Sequence, residues 1–454
     1  MNISSKKNRR PNVLFIPVDD LRTQLRCYGE TQMVTPHIDK LAEQGMLFER
    51  AYCQVPVCGA SRASLLSGMC PTPTRFRSFK SSVDEDAPGT LTLPEHFRNH
   101  GYTALANGKV FHNIEDTAER SWNRPVWLPP TGGDVTWRNY ALPEHRRLDI
   151  LKPGKNGPAF ECVDAGDDIY FDGKIADQTL ADLNRLAESD NPFFMAAGFI
   201  KPHLPFNAPK RYWDYYREGD IQLADNPEMP EHSPEEAWHN WGELRAYCNI
   251  PGEGPVPDDT ARQLVHGYQA ATSYSDEQVG RLLRELDRLG IRGQTIVVLW
   301  GDNGWHLGEH GLWCKHTNFD KLMRVPLIIH VPWMKGAQRC SSLVEFIDLY
   351  PTLCELTGLP IADHVHGSSL LPVLDDPAAP FKHQVFSRFG DGESIITDQH
   401  IYTEWLNETE GWISHMLYDH AIDPGENTSI ADLPEQQERV KHFQQELQKH
   451  REEV

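Results

Sequence analysis

No apolar run in this chain approaches the roughly 18–20 residues that carry a helix across a bilayer, so the sequence holds no membrane span. A secretory leader is also missing. "MNISSKKNRRPN" is basic and polar and runs straight into "VLFIPV", without an apolar core followed by a small-residue cleavage site. As written, the protein reads as cytoplasmic, or as periplasmic had a leader been removed. Cysteine is sparse and unordered: nine residues, an odd count, without CxxC pairs, read as reduced thiols and not as a disulfide framework. Basic residues are the minority, 44 against 65 acidic ones, and the net charge of −21 argues against a nucleic-acid partner. An anionic substrate stays open, because a local basic pocket or a metal reverses the field where it acts. Repeats and low-complexity tracts are absent too.

What is present is core material. With 39% hydrophobic residues, the 454-residue chain is ample for a large core and too long for one simple domain. "NVLFIPVDD" (12–20), "PFFMAAGFI" (192–200), "TIVVLWGDNG" (295–304) and "VPLIIHVP" (325–332) read as strands, the first of them central and buried on both faces. Helical patterns span 35–45, with Thr35 as cap, Pro36 in the first turn and Gly45 as stop, then 90–101 and 259–290. Residues 342–358 read as two helical turns broken near Pro351. Strands alternating with helices predict an α/β fold whose large, mostly parallel central sheet is flanked by helices. After 367–374 the pattern changes to antiparallel strands with turns, "QVFSRF", "SIITDQHIYTEW" and "WISHMLYDH", and then a charged helix from about Leu433 to Glu453. The expected division is a catalytic domain over 1–375 and a smaller C-terminal subdomain over 376–454.

In an open parallel sheet, ligands gather outside the carboxyl ends of the strands. Two strong strands end in acids, one in Asp19-Asp20 and one in Asp302-Asn303. Three carboxylates and an amide oxygen brought together repel one another unless a hard cation lies between them. Oxygen ligands of this kind favour calcium or magnesium over zinc. Alternatively, each pair caps a helix or a turn. Cys58 precedes a helical segment, Ser61 to Leu66, which puts it near free backbone N–H groups with Arg62 one turn away, a setting that suits an anion. A thiolate nucleophile is one reading, although no base is marked for it; a small buried apolar residue is the other.

"CGASR" (58–62) resembles the Cys-x-Pro/Ala-Ser-Arg signature of the type I sulfatases. "PNVLFIPVDDLR", "TPHIDKLAEQG", "GKVFH", "GFIKPHLPF", "YSDEQVGRLL", "GDNGWHLGEHGLWCK", "VPLIIHVP" and "DLYPTL" follow that family's order, and "LYDHAIDPGEN" is similar to its C-terminal signature. The likeness spans about residues 11 to 430. It is greatest to the iduronate-2-sulfatase branch, through "GKVFH", "GFIKPHLPF" and "GWHLGEHG" with a lysine downstream. The resemblance implies an alkaline-phosphatase-like fold and a sulfuric ester hydrolase in which Cys58 is oxidised to formylglycine by a formylglycine-generating or anaerobic sulfatase-maturing enzyme. The aldehyde is hydrated, and one hydroxyl of the diol attacks sulfur. By matching motifs it implies calcium, less readily magnesium, held by Asp19, Asp20, Asp302, Asn303 and residue 58. Arg62 steadies the hydrate, Lys109 and Lys315 grip sulfate oxygens, His203, with or without Lys315, protonates the departing sugar oxygen, and His112 takes the proton that expels sulfate.

The implied substrate is a sulfated oligosaccharide or polysaccharide fragment, foremost a 2-O-sulfated uronic acid of a glycosaminoglycan. Carrageenan- or ulvan-type sulfates, a phosphate or phosphonate monoester, and sulfoglycan binding without turnover are the alternatives. Ordinary roles compete at single residues: solvated charge for the lysines, structural contacts for His112 and His203. His306 and His310 read as structural or rim residues, and of Trp300, Trp305 and Trp313 at most one is expected to face a pocket. The chain departs from the family pattern at Ala60, where proline is commoner, and at Met69, where arginine is usual and bears on the modifying machinery. At Asn303 the iduronate branch has histidine.

Overall fold

The computed structural model describes residues 10–151, 154–407 and 412–454; the basic residues 1–9 lie outside them. In chain order the elements that build the fold are β1 (Asn12–Val18), α1 (Pro36–Gln44), β2 (Met46–Tyr52), α2 (Cys58–Ser67), α3 (Leu93–Asn99), β3 (Thr103–Gly108), α4 (Phe171–Ala187), β4 (Phe193–Gly198), α5 (Asp258–Arg288), β5 (Thr295–Gly301), β6 (Arg324–His330), β7 (Gln338–Glu345) and α6 (Leu349–Thr357). β8 (Gln384–Phe389), β9 (Gly392–Thr397), β10 (His400–Asn407), β11 (Trp412–Asp419) and α7 (Gln437–Glu453) complete it.

Seven strands form the central sheet in the order β7-β2-β6-β5-β1-β4-β3. All pairings are parallel except those of β6, which runs antiparallel to both β2 and β5. The alternation of side chains explains the continuous apolar runs. Val13 and Phe15 of β1 and Ile296, Val298 and Trp300 of β5 enter one core, shared with α2, α3 and α6. Leu14, Ile16 and Val18, with Val297 and Leu299, enter the other, shared with α1, α4 and α5. Both faces are dry, so a polar position on either strand has no solvated side to turn to.

Helix boundaries follow local chemistry. Thr92 and Glu95 form a reciprocal capping box at the start of α3. Pro36 opens α1, but Thr35 makes no side-chain cap there. Instead Asp276, from the middle of α5, accepts the His37 N–H at 3.1 Å and the Ile38 N–H at 2.7 Å. Burial pushes Asp276 up from its ordinary 3.8 to about 7, although those two N–H groups pull it down. The folded protein therefore holds this proton where the unfolded chain has released it. Stability from this group is complete below about pH 4 and is lost as pH rises through about 7. Urea titrations at pH 5 and pH 7 are expected to show the parent losing on the order of 2 kcal/mol more than Asp276→Asn.

Residues 342–358 correct the expected broken helix. Their first part belongs to β7, and α6 begins at Leu349 with Pro351 in its first turn, where a missing N–H leaves no intrahelical bond unmade. Beyond it, β8 to β11 form an antiparallel meander. α7 covers one face of this sheet, setting Val440, Phe443 and Leu447 against Ile395, Tyr402 and Leu417. The other face packs Val385, Ile396 and Ile401 on Tyr52, Met323 and Leu343 of the main body. Lys382 ties the junction, 2.6 Å from both Glu345 and Asp348.

Candidate active site

β1 and β5 pair in parallel with Val18 opposite Gly301, so the acids that follow emerge side by side. Asp20 takes a left-handed backbone, φ 58°, which aspartate tolerates better than most residues. Its N–H donates to Asp302 Oδ1 at 2.9 Å, and its carbonyl accepts the Tyr268 hydroxyl at 2.8 Å. Asn303 donates from Nδ2 to Asp20 Oδ1 at 2.8 Å and to the Gly304 carbonyl at 2.9 Å, which leaves its own Oδ1 buried without a donor.

α2 delivers Cys58 and Arg62 to the same place. Gly59 sits where a Cβ would lie 2.2 Å from the Phe79 carbonyl oxygen, so the helix start is pressed against the loop below it. Arg62 is wholly buried and bridges two strand tips, with Nε 2.6 Å from Asp302 Oδ2 and Nη2 3.2 Å from Asp19 Oδ1. It also donates to the carbonyls of Lys109 and Val110. Lys109 leaves β3 through Gly108, whose φ of +75° and close approach to the Gly198 carbonyl admit no side chain. Lys109 Nζ lies 2.5 Å from Asp19 Oδ2.

Electrostatics settle the state of the thiol. Burial pushes Cys58 up to about 11 despite Lys109 and Lys315. His112 Nδ1, 3.1 Å from the sulfur, is held down to about 2 by burial and by the Lys109 charge. At neutral pH the pair is therefore an un-ionised thiol beside a neutral imidazole, a poor nucleophile. Asp19 is driven well below the usual carboxylate range: burial opposes this, and Lys109, His203 and Arg62 outweigh it. Burial raises Asp302 to about 6 even beside Arg62.

The remaining wall comes from the loops after β4 and β5. His203 donates from Nδ1 to the Leu204 carbonyl at 2.6 Å, which leaves Nε2 facing Glu243 Oε1 at 3.3 Å and Asp20 Oδ2 at 3.7 Å. Lys315 Nζ lies 2.8 Å from Asp20 Oδ1 and 5.3 Å from the centre of the Trp305 ring. Its neighbours Cys314 and His316 both have positive φ, 70° and 81°, so the lysine is presented from a strained turn.

The structure thus brings together Asp19, Asp20, Cys58, Arg62, Lys109, His112, His203, Asp302, Asn303 and Lys315. Of these, Asp19, Cys58, Lys109, His112, His203 and Lys315 line a pocket of about 560 Å³ whose walls also include Phe79, Ile114, Trp137, Glu243 and His316, while Asp20, Arg62, Asp302 and Asn303 do not line it and are bonded to its lining or to one another. Ligand atoms of Asp19, Cys58 and Asp302 fall within 4.8 Å of one another. Asn303 meets Asp20 through Nδ2 and keeps its Oδ1 buried and unpartnered, and the carboxylate and amide oxygens gathered here are the donors a hard cation takes. Three buried carboxylates are already matched by Arg62, Lys109 and Lys315. A divalent ion would leave this group net positive, as an anionic substrate requires.

His306 and His310 stand outside the pocket and bond Thr317 and the Gly425 carbonyl. Trp300, Trp305 and Trp313 are all buried, and none lines the pocket; Trp137, nearly half exposed and edge-on to His203 at 5.6 Å, does. Sequence reasoning passed over both Trp137 and Glu243. Trp137 comes from a turn and Glu243 from a one-turn helix, Gly242–Arg245, both too short to show periodicity, and "WGELR" carries no pattern that separates its acid from a surface one.

Fold and site together define an alkaline-phosphatase-like hydrolase. A phosphonate monoester hydrolase from Silicibacter pomeroyi superposes with a TM-score of 0.80 at 22% identity, covering 98% of this chain and 96% of that one. A 2-O GAG sulfatase superposes with a TM-score of 0.73 at 24% identity, covering 97% and 92%. The chain belongs to the sulfatase family, whose model, described as Sulfatase, matches residues 11–359. A second, described as N-sulphoglucosamine sulphohydrolase, C-terminal, matches 308–453. Iduronate 2-sulfatase from Homo sapiens is 34% identical over 387 residues, 77% of this chain and 69% of that protein. The protein is a sulfuric ester hydrolase, and its family implies a metal and a formylglycine.

Proposed function

We propose that the protein removes O-sulfate from a carbohydrate, and that its preferred ester is the 2-O-sulfate of a uronic acid in a glycosaminoglycan fragment. The observation that carries the chemistry is the meeting of Cys58 with Asp19 and Asp302 at one strand edge, over the lysines that would receive the sulfate. The choice of sugar is supported by the 34% identity to human iduronate 2-sulfatase.

In this reading Asp19, Asp20, Asp302 and Asn303 hold calcium, and Cys58 is converted to formylglycine. Together, ion and oxidised side chain supply a nucleophile of lowered pKa. The chain's other residues do the rest. Arg62 keeps Asp19 and Asp302 in register with α2. Lys109 and Lys315 face the sulfate oxygens and offset the charge that grows on them, an electrostatic role that is commonly the largest catalytic contribution. His203 carries a proton at Nε2 to the departing sugar oxygen as the S–O bond breaks. His112, with Nδ1 3.1 Å from the residue 58 side chain, is placed to take a proton as sulfate leaves.

Peptide mass spectrometry around residue 58, followed by sulfate release from 2-O-, 4-O- and 6-O-sulfated saccharides, tests the reading. Conversion of Cys58 with 2-O-selective release is expected; release only from 4-O- or 6-O-esters would overturn the choice of sugar, and turnover by unconverted enzyme the nucleophile. The fold is shared with a phosphonate monoester hydrolase, so a phosphate or phosphonate ester is the competing substrate. An aryl phosphate turned over faster than the aryl sulfate would favour it. Stripping the ion with EGTA is expected to lower Tm and abolish turnover while leaving the protein folded, since the carboxylates keep their three internal cations. Calcium, followed by differential scanning fluorimetry, should restore both better than magnesium.

A further inference from the structure

The charged base accounts for only part of the pocket. A cavity of about 560 Å³ is far larger than one sulfate group and lies in the range that holds a whole small-molecule ligand. Its walls are partly apolar. Phe79, Ile114 and Trp137 line it and are 51%, 38% and 48% exposed. A single exposed apolar residue needs no explanation, but three that meet at one pocket mark a binding surface. The two rings also stand against the two histidines. Phe79 meets His112 with ring centres 6.1 Å apart, and Trp137 meets His203 at 5.6 Å. An alcohol whose sulfate sits in the base therefore extends along these rings.

Trp137 is held in place from both sides. The Thr136 hydroxyl donates to Asp149 Oδ2 at 2.6 Å, and the Arg138 guanidinium lies 3.4 Å from Oδ1 of the same buried carboxylate. Asn207, wholly buried, donates from Nδ2 to the carbonyls of Arg138 and Asn139 at 3.0 and 3.4 Å. An apolar side chain fixed in this way loses little freedom when a ligand covers it, so more of the burial appears as affinity.

The rings also carry information about the alcohol. The Arg138 guanidinium lies 4.6 Å from the Trp137 ring centre, and Lys80 Nζ lies 5.9 Å from that of Phe79. Each ring already has a cation beside it, so an alcohol bearing a quaternary ammonium would meet like charge there. The C–H face of a pyranose ring is neutral and apolar, and its hydroxyls stay at the edge.

We propose that Trp137, with Phe79, is a specificity-determining residue that binds the C–H face of the sugar carrying the sulfate. The proposal rests on the carbohydrate reading above. Such contact is made before and during the reaction alike, so its loss falls on KM and not on kcat. The parent, Trp137→Ala, Trp137→Phe and Phe79→Ala are compared on a sulfated monosaccharide, with rates expressed per converted residue 58 and folding followed by circular dichroism. Inorganic sulfate, as a competitive inhibitor, probes the base alone. Trp137→Ala is expected to raise KM by about 10-fold or more while kcat stays within about 2-fold. Trp137→Phe should keep most of the binding, and the Ki of inorganic sulfate should match the parent in every variant. Phe79→Ala should also raise KM, and it carries the test should Trp137→Ala not fold. An unchanged KM would overturn the role of the rings. A loss confined to kcat would do the same, by making Trp137 a packing support of His203. Choline sulfate taken by the parent in preference to the sugar sulfate would overturn the choice of a neutral face. If the parent turns over no sugar sulfate, the carbohydrate reading fails and the inference fails with it.

Discussion

Cys58→Ala is expected to melt close to the parent and to release no sulfate. The side chain lost is small, and alanine suits the first turn of α2. A cavity the size of one sulfur destabilises by about 1–2 kcal/mol at most. Turnover should fall by at least about 10⁴-fold, the scale seen when a nucleophile is removed and only binding and electrostatic groups remain. A thiolate mechanism would predict the same loss, and the two are separated before mutation. With the Cys58 thiol pushed up to about 11 and His112 neutral, any unconverted Cys58 should react with iodoacetamide far more slowly at pH 7 than at pH 10. Alkylation of that fraction should leave sulfate release unchanged. Wild-type rates in Cys58→Ala would end the mechanism proposed here.

Arg62→Leu should be the more damaging change to the molecule as a whole. The guanidinium is wholly buried, bonds Asp19 and Asp302 from one side, and donates to two carbonyls of the Lys109 turn. Removing it leaves Asp302 buried without its counter-charge and Asp19 with Lys109 alone. Breaking a buried pair by deleting one partner typically destabilises by about 3–5 kcal/mol. Chemical denaturation should show that loss together with an absence of turnover. Adding Asp302→Asn to Arg62→Leu removes the uncompensated charge, and the double variant is expected to recover part of the stability but none of the activity. If Arg62→Leu alone left stability within about 1 kcal/mol of the parent, the guanidinium would not be the counter-charge of this site.

The fold was legible wherever burial is continuous. β1 and β5 are apolar without interruption because both faces of the central sheet are covered, and each stops at the acids that begin the site. β2, "MLFERAY", was missed because Glu49 and Arg50 interrupt its apolar pattern as it pairs between β6 and β7. α6 was misplaced because a proline in a helical window reads as a break, although in a first turn it is compatible with the helix.

The sequence by itself determined which residue types crowd the strand tips and the start of α2, since a strand end and a helix start are local events with local signals. Only the tertiary structure decided that Glu243 and Trp137 stand beside His203, that the tryptophans of 300–313 turn inward, and that three buried cations match three carboxylates. Those outcomes rest on distances between segments far apart in the chain, and Coulomb energy and desolvation depend on distance and burial, not on order along the backbone.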